Sequence, residues 1–417
     1  MDLAWGIMGA LSADKSRRRL EGEFAEFLGA RHIFLLSSGK AALYVILEAM
    51  KAMRPERRKV LIPAYTCFSV PSAVVKAGLR VSACDISPRT FDFDFTLLEK
   101  EIDENKDTLC VIATHLFGMP ADIARLKSIC AKRDVFLVED ASQAFGVEAG
   151  GKMLGASGDA GFFSLGRGKH LSCGSGGVIV TNSDEMAAAI GERCRRLEKP
   201  RGAEVAVFFA KAAAIALFLR PSLYWLPAGL PFLNLGKTFF CREFPVKSFS
   251  GFQAGLLRGW RRKLDEVNEA RRSNAVYFGA RLNMQNQNPC AGIPLLRLPV
   301  LAETGESRDR ILRRPEARDL GLSPMYPSPV NEIEEIRHMF EGKAYPNARA
   351  VSERLLSVPT HRFLSDGDRL RISRLLGGPA DPLHRASMAP GAPMAAPAPM
   401  AAAAPLDKKT WATKASR

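Results

Sequence analysis

From residue 32 to about 182, short apolar runs rich in β-branched residues alternate with longer stretches of helical periodicity. No other feature constrains the fold as strongly. "HIFLLSS", "KVLIPA", "RVSACDI", "TLCVIATH", "VFLVED", "AGFFSL" and "GGVIVT" read as strands. Between them "GKAALYVILEAMKAM" reads as a helix with Ala42, Val45, Ile46 and Ala49 on one face. "SVPSAVVKAG", "TLLEKEIDENKD", "ADIARLKSICAKRD" and "DEMAAAIGERCRRLEK" are further helical patterns. Strands that are apolar along their whole length are buried on both faces, and repeated βα units supply the covering helices. The expected class is α/β, a large domain with a mostly parallel sheet flanked by helices. Ligands of such sheets bind at the carboxyl ends of the strands. The residues just past those ends therefore matter most: Ser38-Gly39-Lys40, Asp140 and Ser164.

The alternation stops after residue 200. Residues 203–236, "AEVAVFFAKAAAIALFLRPSLYWLPAGLPFLNLG", are strongly apolar. The run before Arg220 barely reaches the roughly 17–25 residues that span a bilayer, and Lys211 near its middle argues against spanning. Two readings stand: a helical hairpin packed on protein or at a subunit interface, and a monotopic membrane contact through Arg220, Tyr224 and Trp225. "FQAGLLRGWRRKLDEVNEARRSNAVYFGARL" is expected to form one long amphipathic helix. Three parts follow: a large domain over 1–245 carrying the 203–236 insertion, a smaller C-terminal α+β domain over 246–378, and an Ala/Pro/Met-rich tail over 379–417. The tail has too few large apolar side chains to form a core and is expected to be disordered.

With 59 Lys and Arg against 44 Asp and Glu, the formal charge is +15, which suits anionic partners. The cations are scattered ("RPERRK", "RGWRRK", "RDRILRR") with no nucleic-acid-binding motif, so no nucleic-acid partner is expected. The eight cysteines form no CxxC pair, which argues for reduced thiols rather than a disulfide framework or zinc site. At the N-terminus acid precedes a short apolar run and bases follow it, the reverse of a signal peptide. A cytoplasmic protein is expected.

Chemistry comes down to the strand ends. "SSGKAAL" places Gly39 at a strand-to-helix turn whose free N–H groups suit a phosphate. It is not a Walker A loop, because Phe34 stands where the first glycine would be and Ala41 follows the lysine. In "GFFSLGRGKHLSCGSGG", Lys169 can be read as a solvated cation or as a catalytic amine. Asp140, 29 residues earlier, can be an ordinary cap. Together, a strand-end carboxylate and a lysine among small residues are what pyridoxal 5'-phosphate needs: an amine for its aldehyde and a carboxylate for its ring nitrogen.

The motifs "LEGEFAEFLGARHIFLLSSGKAAL", "VLIPAYTCFSVPSAVVKAG", "THLFGMPADI", "VEDASQAFG" and "GDAGFFSLGRGKHLSCGSGGVIVTN", with weaker echoes in "FQAGLL" and "ERLLSVPTH", make the chain similar to the DegT/StrS-type sugar aminotransferases. The most specific part is E-D-x-x-Q-A-x-G combined with S-x-x-x-x-K and a following glycine pair. That resemblance implies an aspartate-aminotransferase-like large domain, pyridoxal 5'-phosphate as cofactor, and a homodimer. It also implies transfer of an amino group from an amino acid, with glutamate the expected donor, to a nucleotide-linked keto-sugar. Lys169 would be the Schiff-base lysine and proton shuttle, Asp140 the partner of the ring nitrogen, and Gln143 a contact to the ring or its 3-hydroxyl. Ser164 and the Gly39-Lys40 turn would hold the phosphate.

The chain departs from the family pattern in four places. Lys40 stands where a threonine is usual, and Cys67 where an aromatic ring often stacks on the cofactor. The stretch "VKSFSGFQA" lacks the Asn and Arg of the family's inter-subunit phosphate contact, leaving Lys247 as a substitute. Residues 203–236 have no counterpart, and peripheral contact with the inner face of a membrane is the expectation attached to them. Two rivals remain. One is a same-family dehydratase, in which histidine replaces the lysine; here the position five after Ser164 is Lys169, with His170 one beyond. The other is a cofactor-binding sensor or scaffold in membrane-associated polysaccharide assembly.

Overall fold

The structure, a computed structural model, describes residues 3–218, 238–282, 292–340 and 342–377. The second half of the apolar insertion, 219–237, and the tail 379–417 lie outside the described residues. Two helices open the chain, α1 (Leu3–Leu11) and α2 (Ala13–Leu28). The βα repeats then follow: β1 (His32–Leu36), α3 (Gly39–Met53), β2 (Lys59–Pro63), α4 (Ser69–Lys76), β3 (Arg80–Cys84) and α5 (Phe95–Glu104). Next come β4 (Thr108–Thr114), α6 (Ile123–Lys132), β5 (Phe136–Asp140), the short hairpin β6 (Glu148–Ala149) and β7 (Lys152–Met153), β8 (Ala160–Ser164), β9 (Gly177–Thr181) and α7 (Asp184–Arg195).

Seven strands join in the order β1-β9-β8-β5-β4-β2-β3. The steps from β3 to β8 are all parallel, whereas β9 pairs antiparallel with both β8 and β1. The mostly parallel α/β expectation holds, with β9 as the reversed strand. Each strand the sequence marks out is present, and β4, β5 and β9 are buried at every residue, as their unbroken apolar runs require. One face of the sheet packs on α3 and α4 through Val45, Ile46, Val60, Ile62, Ile112 and Val138. The other packs on α5 and α6 through Leu61, Val111, Leu98 and Leu126.

Beyond the sheet lie α8 (Gly202–Phe218), α9 (Gly251–Leu256), α10 (Trp260–Arg281) and β10 (Arg297–Leu301), then α11 (Gly305–Leu312), α12 (Pro315–Asp319), α13 (Pro346–Arg354), β11 (Leu355–Pro359) and α14 (Asp366–Leu375). β10 and β11 form a separate antiparallel pair. The single long helix expected over "FQAGLLRGWRRKLDEVNEARRSNAVYFGARL" is two, α9 and α10. Gly259 sits between them at φ 65, a left-handed conformation that glycine adopts without steric cost and that ends one helix before the next begins.

Candidate active site

The helix start at α3 is built first by local chemistry. Ser38 caps it, its hydroxyl accepting the Ala41 N–H at 3.1 Å. Two glycines let neighbouring segments close in. A Cβ on Gly177 would lie 2.2 Å from the Ser38 carbonyl oxygen, and one on Gly39 would lie 3.1 Å from Ser164 Cβ. Ser175 Oγ donates to the Ser37 carbonyl at 2.7 Å, and the Lys247 N–H donates to Ser37 Oγ at 3.1 Å. Ser164 Oγ thus stands beside the N-terminus of a 15-residue helix whose dipole and leading N–H groups attract an anion. The Lys40 ammonium takes another direction. Its Nζ lies 4.8 Å from the centre of the Phe244 ring, which Lys76 also approaches at 5.2 Å.

Asp140 ends β5 and is buried. Its Oδ1 accepts the Ser142 N–H at 3.0 Å, and its main-chain carbonyl accepts the His115 N–H at 3.0 Å. Burial pushes the Asp140 carboxyl above the usual carboxylate range, while Ser142 and the charge of Lys169 pull it back. Lys169, after Gly168 at φ 77, is shifted the other way: burial lowers it, opposed by Cys67 and Asp140. A lysine biased towards its neutral amine is the form that attacks a carbonyl. Asp140 and Lys169 therefore each favour the other's charged form.

Gln143 is held at both ends. Its Oε1 accepts the Phe117 N–H at 2.9 Å and its Nε2 donates to the Tyr326 hydroxyl at 2.8 Å. Phe117 sits at φ 62, and Met325, just before Tyr326, at φ 48. Both anchors of this glutamine thus hang on left-handed non-glycine residues, which cost about 1–3 kcal/mol each and persist only where the surroundings enforce them. The Tyr326 N–H in turn donates to the Tyr65 hydroxyl at 3.2 Å. Burial, with Cys67 and Asp140 nearby, raises the Tyr326 hydroxyl well above its ordinary value. Tyr326 arrives 183 residues after Gln143, and its "PMYPSP" context holds no periodic signal that would have singled it out.

Two hydroxyls test whether the site fits a cofactor. Thr66 Oγ1 and Thr114 Oγ1 are buried without a hydrogen-bond partner. Thr114 is in direct register with Asp140 across the parallel β4–β5 pair, so both face the same side of the sheet. Orphaned buried polar atoms are rare in native interiors. Here Thr114 stands level with the Asp140 carboxylate and Thr66 follows the end of β2, so the strand ends keep free hydroxyls besides a carboxylate, an amine and an anion-receptive helix start, the groups pyridoxal phosphate requires. The residues fit.

Behind Asp140, on the opposite face of β5, Glu139 is completely buried. Its Oε1 accepts the N–H groups of Ser157 (2.6 Å) and Gly158 (2.5 Å), and its Oε2 accepts Gly155 N–H (3.0 Å) and His115 Nε2–H (2.9 Å). The Ala121 N–H donates to His115 Nδ1 at 3.1 Å, so the proton of this imidazole is on Nε2. Burial alone would raise Glu139, but the His115 hydrogen bond leads a set of interactions that hold it below its usual value. His170, next to Lys169, donates from Nε2 to the Pro294 carbonyl at 2.8 Å, and burial lowers it to about 3. It is a neutral anchor for the loop that carries the lysine.

The sequence pattern of the DegT/DnrJ/EryC1/StrS aminotransferase family matches residues 7–201 and 248–376, lapsing over the stretch that holds the apolar insertion. A GDP-perosamine synthase from Vibrio cholerae is 25% identical over 348 residues, 84% of this chain and 86% of that protein. An L-glutamine:2-deoxy-scyllo-inosose aminotransferase from Streptoalloteichus tenebrarius is 30% identical over 291 residues, 70% of this chain and 62% of that protein. The crystal structure of a DegT DnrJ EryC1 StrS aminotransferase from Brucella abortus superposes with a TM-score of 0.70 at 20% identity, covering 90% of this chain and 94% of that one. With the fold, the donor set and the match over most of its length in agreement, the chain belongs to the DegT/DnrJ/EryC1/StrS aminotransferase family and is a pyridoxal-phosphate-dependent aminotransferase.

Proposed function

We propose that this enzyme transfers the amino group of an amino acid, with glutamate the expected donor, to the keto group of a nucleotide-linked sugar. What supports the reading most is the pairing of Lys169 with Asp140, each pulling on the other's charge, in a chain whose relatives include a GDP-perosamine synthase. When bound, pyridoxal phosphate supplies an electron sink for bonds broken at the amino-bearing carbon. Lys169 holds the cofactor and moves the proton at Nζ, helped by a lowered pKa. Asp140 keeps the ring nitrogen charged, and Gln143, steadied by Tyr326, orients the ring. Ser164 Oγ and the main-chain N–H groups of Gly39 and Lys40 receive the phosphate, while the Lys40 side chain stays on Phe244.

Two copies per enzyme belong to the same reading, with sedimentation velocity as the check. The activity is tested by following the cofactor absorbance of the purified enzyme. Glutamate should convert the band to that of the aminated cofactor, and one member of a panel of nucleotide keto-sugars should restore it. A band indifferent to every amino acid would leave a cofactor-binding protein without turnover.

A further inference from the structure

Helix α1 is apolar on both sides, and its two sides are used differently. Gly6 and Gly9 press it against α9: a Cβ on Gly9 would lie 2.3 Å from the Gly251 carbonyl oxygen, and one on Gly255 would lie 2.0 Å from that of Trp5. The opposite face, Ala4, Ile7, Met8 and Leu11 at i, i+3, i+4 and i+7, is turned to solvent. Ile7 is 48% exposed, Met8 53% and Leu11 84%. Helix α8 packs beside α1 and repeats the arrangement. Val205, Phe208 and Ala212 face the core, while Ala203, Ala206, Val207 and Ala210 face outwards, with Val207 53% exposed. Two neighbouring helices thus each turn an apolar strip to solvent, and exposed apolar surface of this kind marks interaction sites.

Its border is cationic. Lys15 and Arg18 follow the C-terminal end of α1, Lys199 and Arg201 precede α8, and the Arg258 guanidinium covers the Trp5 ring at 3.5 Å. All five are exposed, and among the described residues no carboxylate lies within ion-pair distance of Lys15, Arg18, Lys199 or Arg201. Of the nearby acids, Asp14 pairs with Arg17 and Glu204 with Lys247, and Glu21, one turn after Arg18, is partly buried. A second copy of this chain, docked about a two-fold axis, would bring this cationic border against itself. An anionic lipid surface satisfies both parts at once: acyl chains take the apolar strip and headgroups take the cations.

We propose that the α1–α8 face docks the enzyme on an anionic membrane surface, lying in the interface without spanning it. No described helix is long and apolar enough to cross a membrane. The docking is independent of which sugar the active site accepts.

The test uses the full-length holoenzyme and vesicles of phosphatidylcholine with or without phosphatidylglycerol. Wild type should co-sediment with the anionic vesicles at low salt, weakly with phosphatidylcholine alone, and come off as salt is raised. The pair Ile7→Glu, Met8→Glu removes the apolar strip, and the pair Lys15→Glu, Arg18→Glu reverses the border while leaving that strip intact. Each should lower vesicle binding about tenfold or more with the cofactor absorbance and melting temperature retained. Wild type that ignores anionic vesicles, or variants that bind like wild type, would overturn the proposal. So would an apolar-strip variant that turns dimers into monomers with unchanged vesicle binding, since a second copy would then cover the face.

Discussion

Glu139→Gln probes the support beneath Asp140. The carboxylate satisfies four buried donors: Ser157 N–H, Gly158 N–H, Gly155 N–H and His115 Nε2–H. A glutamine keeps the shape but has one acceptor oxygen. Turned towards Ser157 and Gly158, it points its amide hydrogens at Gly155 N–H and His115 Nε2–H. His115 cannot escape by changing tautomer, because Nδ1 already accepts the Ala121 N–H. Two buried donors left facing donors cost about 1–3 kcal/mol each, giving about 4 kcal/mol in all, within the range for removing one partner of a buried pair. Residues 1–378 cluster as one unit, and an unfolding entropy of about 2.1 cal/mol/K per residue makes that about a 5 °C drop in melting temperature. The pH dependence has a fixed sign. Glu139 is depressed below 4.5 in the folded protein, so its contribution is present above about 4.5 and lost as pH falls through the folded value. Scanning calorimetry of both proteins from neutral to acidic pH is the assay, and the variant should lack that part of the acid slope. A variant melting within about 1 °C of wild type, or one sharing its acid slope, would refute the reasoning.

Lys169→Ala should abolish borohydride-fixable attachment of the cofactor and lower turnover by about 10²–10⁴-fold; a retained covalent adduct would show another amine in the role. Asp140→Asn should keep the cofactor far better than it keeps turnover, measured by absorbance and by glutamate half-reaction rates, and equal rates would remove Asp140 from its place. Tyr326→Phe leaves Gln143 Nε2 buried without its acceptor. It should cost about 1–3 kcal/mol of stability and loosen cofactor binding, read by melting and by dialysis.

What the amino-acid sequence determined by itself was the part of the molecule that each segment dictates from its own pattern. Strand and helix periods placed β1–β5, β8 and β9, and with them the carboxyl ends where Asp140 and Ser164 sit, because burial on two faces leaves its mark in the segment's own composition. Gly39 was visible because a strand-to-helix turn needs a small residue, whereas Lys169 stayed open between a solvated cation and a catalytic amine until the S-x-x-x-x-K motif of the family singled it out. Chain path decided the rest. Tyr326 reaches Gln143, His115 locks Glu139, and Thr114 comes level with Asp140 only after the sheet has formed in its order β8-β5-β4. The Lys40 side chain was assigned by its neighbours to the phosphate turn, but Phe244, 204 positions away, supplies a ring for its ammonium. The break at Gly259 escaped an amphipathic pattern that runs through it, since period alone does not report φ. Likewise α1 looked merely apolar, and packing against α9 decided which of its faces is buried and which stays exposed. Local preferences act within a turn or two of chain, whereas these contacts join residues whose proximity exists only in the folded protein.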